Sequence, residues 1–228
     1  MTVQRKPRPS VPSSSGQSKV GNGLTGEGAE GAKNLWKKNK SCQQKLNICT
    51  YNTRTLVGED KLIDLENELE HINWDIVGLS EIKRRGEELV ELRSRSMFYY
   101  KGRDNDSNSG VGFLVNKNIK DKTISYRNSG DRIAQIIIQL TERYRLQIIQ
   151  VYAPTTNHDE EEVIELYEEV YKLIEEEKTH FKIVMGDFNA QVGKKDDEKE
   201  TSVGNFGYKK RNERGDLLVD FAEANKLK

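Results

Sequence analysis

The ten residues FKIVMGDFNA at positions 181–190 place an apolar run directly before a carboxylate and a carboxamide. The short apolar run at 181–185 predicts a buried strand. Asp187 and Asn189 follow it two residues apart, so both side chains project to the same side of the chain. In enzymes built on sheets, ligands bind at such strand ends. An Asp there can bind a metal or activate water, and an Asn can donate a hydrogen bond to a developing oxyanion.

Three more polar side chains follow predicted strands in the same way. They are Asn52 after the strand at 46–51, Glu81 after 74–79 and Tyr152 after 146–151. The repetition of one arrangement at four strand ends strengthens the interpretation of Asp187 and Asn189 as functional residues.

Six phrases, in this order, resemble the endonuclease/exonuclease/phosphatase family, and more narrowly the endonuclease domain of RTE-type (BovB-like) non-LTR retrotransposons. The phrases are LNICTYNTRTL (46–56), WDIVGLSEIKRRGE (74–87), SGVGFLV (109–115), YAPT (152–155), GDFNAQVG (186–193) and RNERGDLLVDFAEANKL (211–227). GDFNA together with YAP is typical of the superfamily, whereas YNTRTL and RNERGD are typical of the retroelement branch. The resemblance covers residues 45–228.

Strand and helix signals alternate through this region, and no internal repeat interrupts them. Helical periodicity marks 62–72, 159–177 and a last helix led by Leu217, Leu218 and Phe221, which follows a polar loop at 191–214. Further strands are predicted at 97–101, 111–115, 123–128, 133–140 and 145–151, with a hairpin turn at 141–144. This mixture indicates a layered α/β domain. The resemblance implies a DNase I-like four-layer α/β sandwich, in which two packed mixed β-sheets are flanked by helices and the active site lies at one edge.

Composition excludes several classes of protein. Hydrophobic residues make up 34% and charged residues 32% of the 228 positions, which suits one domain with a modest core plus a tail. No apolar run reaches the roughly 18 residues of a membrane helix, and the basic N-terminus lacks the apolar segment of a secretory signal. The two cysteines form no disulfide framework. We therefore predict an intracellular protein, nuclear if functional, without a membrane partner.

The zero net charge hides an asymmetry between the tail and the domain. Residues 1–45 contain nine Lys/Arg and two Asp/Glu, so they carry +7 and the rest of the chain carries −7. Residues 1–44 are also rich in Gly, Ser and Pro, which predicts a disordered basic tail before the domain at 45–228. Such an arm attracts phosphates non-specifically, but a spacer without a binding role is the favoured interpretation.

The residues at the strand ends suit metal-assisted cleavage of a phosphate ester. Mg²⁺, or Mn²⁺ in its place, prefers oxygen ligands and usually takes one or two carboxylates plus water and substrate phosphate. Glu81 is the candidate principal ligand, with Asn52 beside it. Asp187 would orient or deprotonate the attacking water, and Asn189 would donate to the phosphoryl oxygens. The alternatives are an exposed strand-end carboxylate for Glu81 and ordinary turn chemistry for the other two.

Tyr152 is a further catalytic candidate, and three more residues are candidates for binding the substrate. Tyr152, followed by Ala153 and Pro154, matches the family tyrosine that contacts the scissile phosphate, although a Tyr after an apolar strand usually packs in a core. Arg54, Asn212 and Arg214 are candidates for contacting the nucleic-acid backbone, with ordinary surface charge as an equal alternative for the two arginines. Arg54 stands where other branches of the family carry an acidic residue, so no metal-ligand role transfers to it.

The three histidines, His71, His158 and His180, lie outside the family's catalytic motifs, which favours structural or surface roles. Family members close with a Ser-Asp-His motif that supplies the catalytic histidine, and the sequence ends at Lys228 without it. The resemblance therefore implies a domain that lacks its last strands and is inactive by itself.

The resemblance implies a Mg²⁺-dependent endonuclease that nicks DNA, which in the element primes reverse transcription by a fused reverse transcriptase. No small-molecule cofactor beyond the metal is implied. The alternative is a non-catalytic remnant or binding module of a domesticated retroelement. An abasic-site repair nuclease or a phosphoinositide phosphatase on the same fold is a weaker third interpretation.

Overall fold

The computed structural model describes residues 2–3, 45–104, 109–155, 158–195, 198 and 200–228. The described elements belong to one compact unit that includes residues 46–228. The predicted disordered tail at 1–44 lies outside the described residues, apart from Thr2 and Val3, which pair with a neighbouring strand. None of the helices in this part of the chain has the length and apolar character needed to cross a bilayer.

Five strands form the first sheet. They are β1 (Thr2–Val3), β7 (Thr123–Ser129), β8 (Ile133–Gln139), β9 (Arg145–Tyr152) and β10 (Phe181–Asp187). Their order across the sheet is β1-β10-β9-β8-β7, with β9 and β10 parallel and the other pairs antiparallel. β8 and β9 are buried along nearly their whole length, because both faces of this sheet are covered.

The second sheet also has five strands. They are β2 (Ile48–Asn52), β3 (Ile76–Ser80), β4 (Glu87–Glu91), β5 (Met97–Lys101) and β6 (Val111–Val115). Their order is β2-β3-β6-β5-β4, and only β2 and β3 are parallel. Apolar side chains such as Phe113, Ile136 and Ile148 fill the space between the two sheets. Each fully buried side chain of this kind stabilises the fold by roughly 1.5–3 kcal/mol.

Helices cover the outer faces of both sheets. The helices α2 (Glu160–Glu176) and α3 (Glu213–Ala224) pack on the first sheet, and α1 (Glu59–Leu69) packs on the second. In α2 the apolar residues recur at helical spacing and face the sheet, while its glutamates remain exposed. The result is a four-layer α/β sandwich with two mixed sheets, which confirms the predicted fold class.

Strand β4 was not predicted, because its sequence EELVE is dominated by charge and four of its five residues are exposed. It forms the edge of the second sheet and pairs with β5 alone. The hydroxyls of Tyr99 and Tyr100 on β5 donate to Glu87 and Glu88 at 2.9 Å each. Cross-strand pairing therefore forms this strand, rather than burial of its own side chains.

The other predicted strands agree with the structure to within two residues at each end, and five of them, β2, β3, β7, β9 and β10, extend one or two residues further at their carboxyl ends. Asn52, Tyr152 and Asp187 are the last residues of β2, β9 and β10, whereas Glu81 follows β3 directly. β2 ends level with β3, and β9 ends level with β10. Each sheet therefore delivers a pair of polar residues at the end of two parallel strands.

Candidate active site

Asn52 joins the strand ends of the two sheets. Its side-chain amide nitrogen donates to Glu81 Oε1 at 2.7 Å and to Asp187 Oδ2 at 2.8 Å. Asn52 and Glu81 belong to the second sheet, whereas Asp187 belongs to the first. One amide thus holds two carboxylates, which are 106 residues apart in sequence, around a single point.

Glu81 is held in an uncommon backbone conformation. Its φ angle is 55°, in the left-handed region, which costs a non-glycine residue roughly 1–2 kcal/mol. The Thr53 hydroxyl lies against this turn, with its oxygen 3.0 Å from the Ser80 carbonyl oxygen and 3.1 Å from that of Glu81. Strain of this kind persists only where the surroundings fix it, and it is common at functional sites. Here the turn directs the Glu81 carboxylate toward Asn52.

Asp187 is positioned by a close passage of two strands. Gly186 has a φ of 145°, and a Cβ at this position would lie 1.9 Å from the Val151 carbonyl oxygen, so only glycine fits. The backbone N–H of Asn189 donates to Asp187 Oδ1 at 3.1 Å, and the Asn189 side chain donates to the Ala153 carbonyl at 2.8 Å. These bonds are the turn chemistry foreseen as an alternative, and they leave Asn189 one further side-chain N–H for a substrate.

Tyr152 lies beside the carboxylates with only 6% of its surface exposed. Burial raises the pKa of Tyr152 above its ordinary value of 10.0, and the negative charge of Glu81 raises it further. At neutral pH the phenol is therefore a protonated hydrogen-bond donor. The guanidinium of Arg132 lies 5.5 Å from the centre of the Tyr152 ring.

Two cations at the site were not predicted. Lys83 Nζ lies 3.6 Å from Glu81 Oε2, and Arg132 Nη1 donates to the Tyr152 carbonyl at 3.4 Å. Lys83 sits two residues past Glu81 in a second left-handed conformation, with φ 59°. No sequence signal distinguishes either residue, because a basic side chain near a strand end is ordinarily a surface charge.

A buried polar network links the two sheets beneath the site. Gln150 is fully buried, and its amide nitrogen donates to Thr50 Oγ1 at 3.0 Å and to Ser80 Oγ at 2.9 Å. Thr50 precedes Asn52 by two residues, and Ser80 precedes Glu81 directly. Gly78 makes room for this crossing, because a Cβ there would lie 2.0 Å from Gln150 Oε1. The network therefore fixes the strand ends that carry Asn52 and Glu81 against strand β9 of the first sheet.

The three other predicted substrate-binding residues are placed differently. Arg54 is exposed, and its backbone N–H donates to Asn52 Oδ1 at 2.9 Å. Asn212 caps α3, since its Oδ1 accepts from Gly215 N at 2.9 Å and from Gln191 N at 3.0 Å. Arg214 donates through Nη2 to the His158 carbonyl at 2.6 Å. The Asn212 and Arg214 side chains thus organise the start of α3.

The donor chemistry fits a hard divalent cation. Glu81 and Asp187 offer carboxylate oxygens, and Mg²⁺ needs only one or two of these besides water and phosphate. No cluster of three or more His, Cys, Asp or Glu side chains suited to a metal occurs in the part of the chain that the structure describes. Asn52 turns its nitrogen toward the carboxylates and its oxygen toward Arg54 N–H, so it bridges them; coordination through Oδ1 would require the amide to turn over.

All three histidines lie within the described residues, and their contacts are elsewhere. His158 Nδ1 lies 3.1 Å from Glu162 Oε2, and His180 Nδ1 accepts from Arg145 N–H at 3.4 Å. His71 follows α1 on the exposed surface. None of these contacts involves Asn52, Glu81 or Asp187.

Comparisons with known proteins agree with the fold and the motifs. The sequence model of the Endonuclease/Exonuclease/phosphatase family matches residues 49–205. Craniofacial development protein 2 of Bos taurus is 35% identical over 192 residues, covering 83% of this chain and 31% of the relative. The protein of the same name from Tragulus javanicus is 34% identical, covering 83% of this chain and 32% of the relative. The chain thus spans about a third of the length of these curated relatives.

A solved structure shares the fold at low sequence identity. AP endonuclease LMAP from Leishmania major superimposes with a TM-score of 0.53 at 11% identity, covering 76% of this chain and 65% of that chain. At this level of identity the likeness concerns the fold alone.

Proposed function

The chain belongs to the endonuclease/exonuclease/phosphatase family, and we propose that its site hydrolyses phosphodiester bonds of DNA with the help of Mg²⁺ or Mn²⁺. The observation that carries the proposal is the bridge from Asn52 to Glu81 and Asp187. It brings two carboxylates from different sheets to one point at the strand ends, with Tyr152 beside them.

The side chains divide the work of the reaction. A bound divalent ion supplies Lewis-acid stabilisation of charge on a phosphoryl oxygen. Glu81 would hold the ion, and Asn52 would fix the orientation of the Glu81 carboxylate. Asp187 would accept a proton from the attacking water, and the hydrogen bonds from Asn52 and Asn189 fix the orientation of its carboxylate for this role.

Donors for the phosphate surround the carboxylates. Tyr152 offers a protonated phenol, Asn189 its second side-chain N–H, and Lys83 and Arg132 their positive charge. Preorganised donors of this kind stabilise charge that develops in the transition state. Arg54 is exposed beside Asn52, and it would contact the nucleic-acid backbone.

A role in target-site nicking by an RTE-type retroelement is the finer form of this proposal. It rests on the phrases YNTRTL and RNERGD, and it carries with it a fused reverse transcriptase as partner and a nuclear location. Asn212 and Arg214 within RNERGD hold the start of α3, so their contribution to DNA binding would be indirect.

A non-catalytic binding module is the second candidate function. It is favoured by the positions of the histidines, since none of the three contacts the carboxylates. The histidine that the family resemblance implies has no counterpart at this site. We therefore expect nicking by residues 1–228 alone to be no greater than that of a Glu81 variant, and to rise above it when free imidazole is supplied.

The experiment measures metal binding and cleavage separately. Tb³⁺ luminescence sensitised by Tyr152 reports binding at the site, and Mg²⁺ should displace Tb³⁺. Glu81→Gln should abolish this signal. Glu68→Gln is the control, since it makes the same exchange at an exposed position on α1, and it should leave the signal unchanged. Nicking of supercoiled plasmid is then followed with Mg²⁺, with and without imidazole.

The outcomes separate the candidates. Glu81-dependent nicking in the presence of imidazole supports hydrolysis. Glu81-dependent metal binding without nicking under any condition supports the binding module. Metal binding that is indifferent to Glu81 contradicts both proposals.

A further inference from the structure

Two aromatic rings protrude from the loop before α3. Phe206 is 97% exposed and Tyr208 is 85% exposed, whereas the next most exposed large hydrophobic residue that the structure describes, Val57, reaches 59%. We call residues 204–210, with the sequence GNFGYKK, the aromatic tip. Exposed aromatic side chains that are close together on a surface mark binding sites more often than they occur by chance.

Hydrogen bonds anchor the chain on both sides of the aromatic tip. Arg211 forms a two-pronged pair with Glu200 at 2.6 and 2.9 Å, and its Nε donates to the Val192 carbonyl at 2.9 Å. Glu223 on α3 accepts the backbone N–H groups of Thr201 and Ser202 at 2.6 and 2.7 Å. The two rings therefore lie on an anchored loop, which reduces the conformational entropy that the loop loses when the rings bind a partner.

The sequence of the aromatic tip is basic. No acidic residue occurs between 201 and 212, whereas the domain as a whole carries an excess of acidic groups. Lys209 Nζ lies 5.5 Å from the centre of the Tyr208 ring, and Lys210 follows it on the surface. Neither lysine pairs with a carboxylate among the described residues. Lys209 and Lys210 are both exposed, and their positive charge suits an anionic partner.

The loop that carries the aromatic tip directly follows Asn189 of the candidate active site in the sequence. It ends at Asn212, at the start of α3. Its two ends are joined, since Gln191 and Asn212 exchange hydrogen bonds at 3.0 and 3.1 Å. A partner bound at the tip is consequently tethered to the segment that holds Asp187.

We propose that the aromatic tip binds unpaired nucleotides, with Phe206 and Tyr208 stacking on bases and Lys209 and Lys210 contacting phosphates. Aromatic rings interleaved with basic residues suit single-stranded nucleic acid, because every base presents a π face and every linkage a negative charge. The proposal deepens the proposed function and rests on it, since it names DNA with an unpaired stretch as the substrate class. Recognition by stacking tolerates changes of sequence.

The test uses the full 228-residue chain and fluorescence anisotropy of a labelled 20-nucleotide oligo(dT), in EDTA so that cleavage is excluded. Phe206→Ser with Tyr208→Ser should weaken binding at least tenfold, because base stacking on two rings is lost. Tyr171→Ser, which removes an exposed ring from α2, is the matched control and should bind normally. The ring-preserving exchange Phe206→Tyr with Tyr208→Phe should retain affinity. Thermal unfolding of each variant confirms that the fold is unchanged.

The lysines and the substrate form give independent readouts. Lys209→Ala with Lys210→Ala should lower the slope of log affinity against log salt by about 1.4, at about 0.7 for each phosphate contact of a single strand. A fully paired duplex should lose less affinity than oligo(dT) in the ring variant. The ring variant should keep its Tb³⁺ signal, whereas the exposed control Glu68→Gln should keep both its Tb³⁺ signal and its oligo(dT) affinity, so that failure of either proposal is visible by itself.

Three results would overturn the inference. One is unchanged oligo(dT) affinity in the Phe206→Ser, Tyr208→Ser variant. Another is an equal loss in the Tyr171→Ser control. The third is loss of binding to vesicles of phosphatidylcholine and phosphatidylserine in the ring variant while oligo(dT) affinity stays the same, which would identify a lipid surface as the partner.

Discussion

The strand-end site and the start of α3 contain similar residues but use them differently. At the strand ends, the Asn52 side-chain amide donates to two carboxylates, and the Glu81 side chain remains 21% exposed. At the start of α3, the side-chain oxygen of Asn212 accepts from two backbone N–H groups, and Arg214 donates to a backbone carbonyl. The bonds of Asn52 bring two negative charges together, whereas the bonds of Asn212 and Arg214 satisfy backbone groups. A polar residue in a family motif can thus serve either chemistry or folding, and its hydrogen-bond partners decide which.

The largest effect is expected from the carboxylates at the strand ends. Glu81→Gln or Asp187→Asn should lower imidazole-supported nicking by about 10²–10³-fold, which is typical for loss of one preorganised group in an active site. Glu81→Gln should change the free energy of unfolding little, because the new amide oxygen can still accept a hydrogen bond from Asn52. Asp187→Asn should lower it by about 1–3 kcal/mol, because its single amide oxygen cannot accept from both Asn52 and the Asn189 N–H. Plasmid nicking and urea unfolding, measured on the same samples, separate the two effects. Cleavage within threefold of the parent chain would contradict the assignment of these residues.

Asn52→Asp tests the comparison directly, because it replaces a neutral hydrogen-bond donor by a negatively charged acceptor of the same shape. Two hydrogen bonds become contacts between carboxylates, and we expect the free energy of unfolding to fall by about 2 kcal/mol in EDTA, because like charges at this distance strongly oppose ionisation. Added Mg²⁺ should restore much of the loss by binding the enlarged acidic group. Thermal unfolding with and without Mg²⁺ measures both. A variant as stable as the parent in EDTA would mean that Asn52 does not bridge the carboxylates in solution.

At the start of α3 the expected effect is on stability alone. Asn212→Ala should reduce the free energy of unfolding by about 1 kcal/mol, the usual cost of losing an N-cap side chain. The Tb³⁺ signal of the strand-end site should be unchanged. Asn67→Ala, at an exposed position within α1, is the matched control and should be nearly neutral. A clear loss of metal binding in Asn212→Ala would show that the two regions are coupled, and the contrast between them would then fail.

The sequence predicts the strand positions well, because most strands are apolar runs bounded by polar turns, as at 111–115 and 133–140. Their arrangement in a two-sheet sandwich is implied by the family resemblance and not by the pattern of the strands. The sequence fails at β4, whose glutamates are held by tyrosine hydroxyls across the strand. The candidate site is predictable where residues stand at strand ends, as Glu81 and Asp187 do. The bridge through Asn52 and the buried Gln150 network are not predictable, because they depend on how two sheets align. A glutamine within an apolar strand gives no sign that its partners lie on the opposite sheet.

The smallest expected effect is a pH-dependent one at the far end of α3. Hydrogen bonds from Ser202 and Thr201 lower the pKa of Glu223 from 4.5 to about 2. A carboxylate with a depressed pKa in the folded state stabilises that state above the unfolded pKa, and the contribution is lost as the pH falls from 4.5 through 2. Glu223→Gln should therefore be less stable than the parent chain at pH 7, and the difference should shrink between pH 4.5 and pH 2.

Thermal unfolding at pH 7, 4 and 3 measures this difference, with Asp220→Asn, an exposed change on the same helix, as the control. The effect is modest because Glu223 is solvent-accessible, and added salt should reduce it further. Because Glu223 anchors the loop below the aromatic tip, the same substitution should weaken oligo(dT) binding slightly while leaving Tb³⁺ binding intact. A stability difference that stays constant from pH 7 to pH 3 would show that the carboxylate charge does not hold the loop.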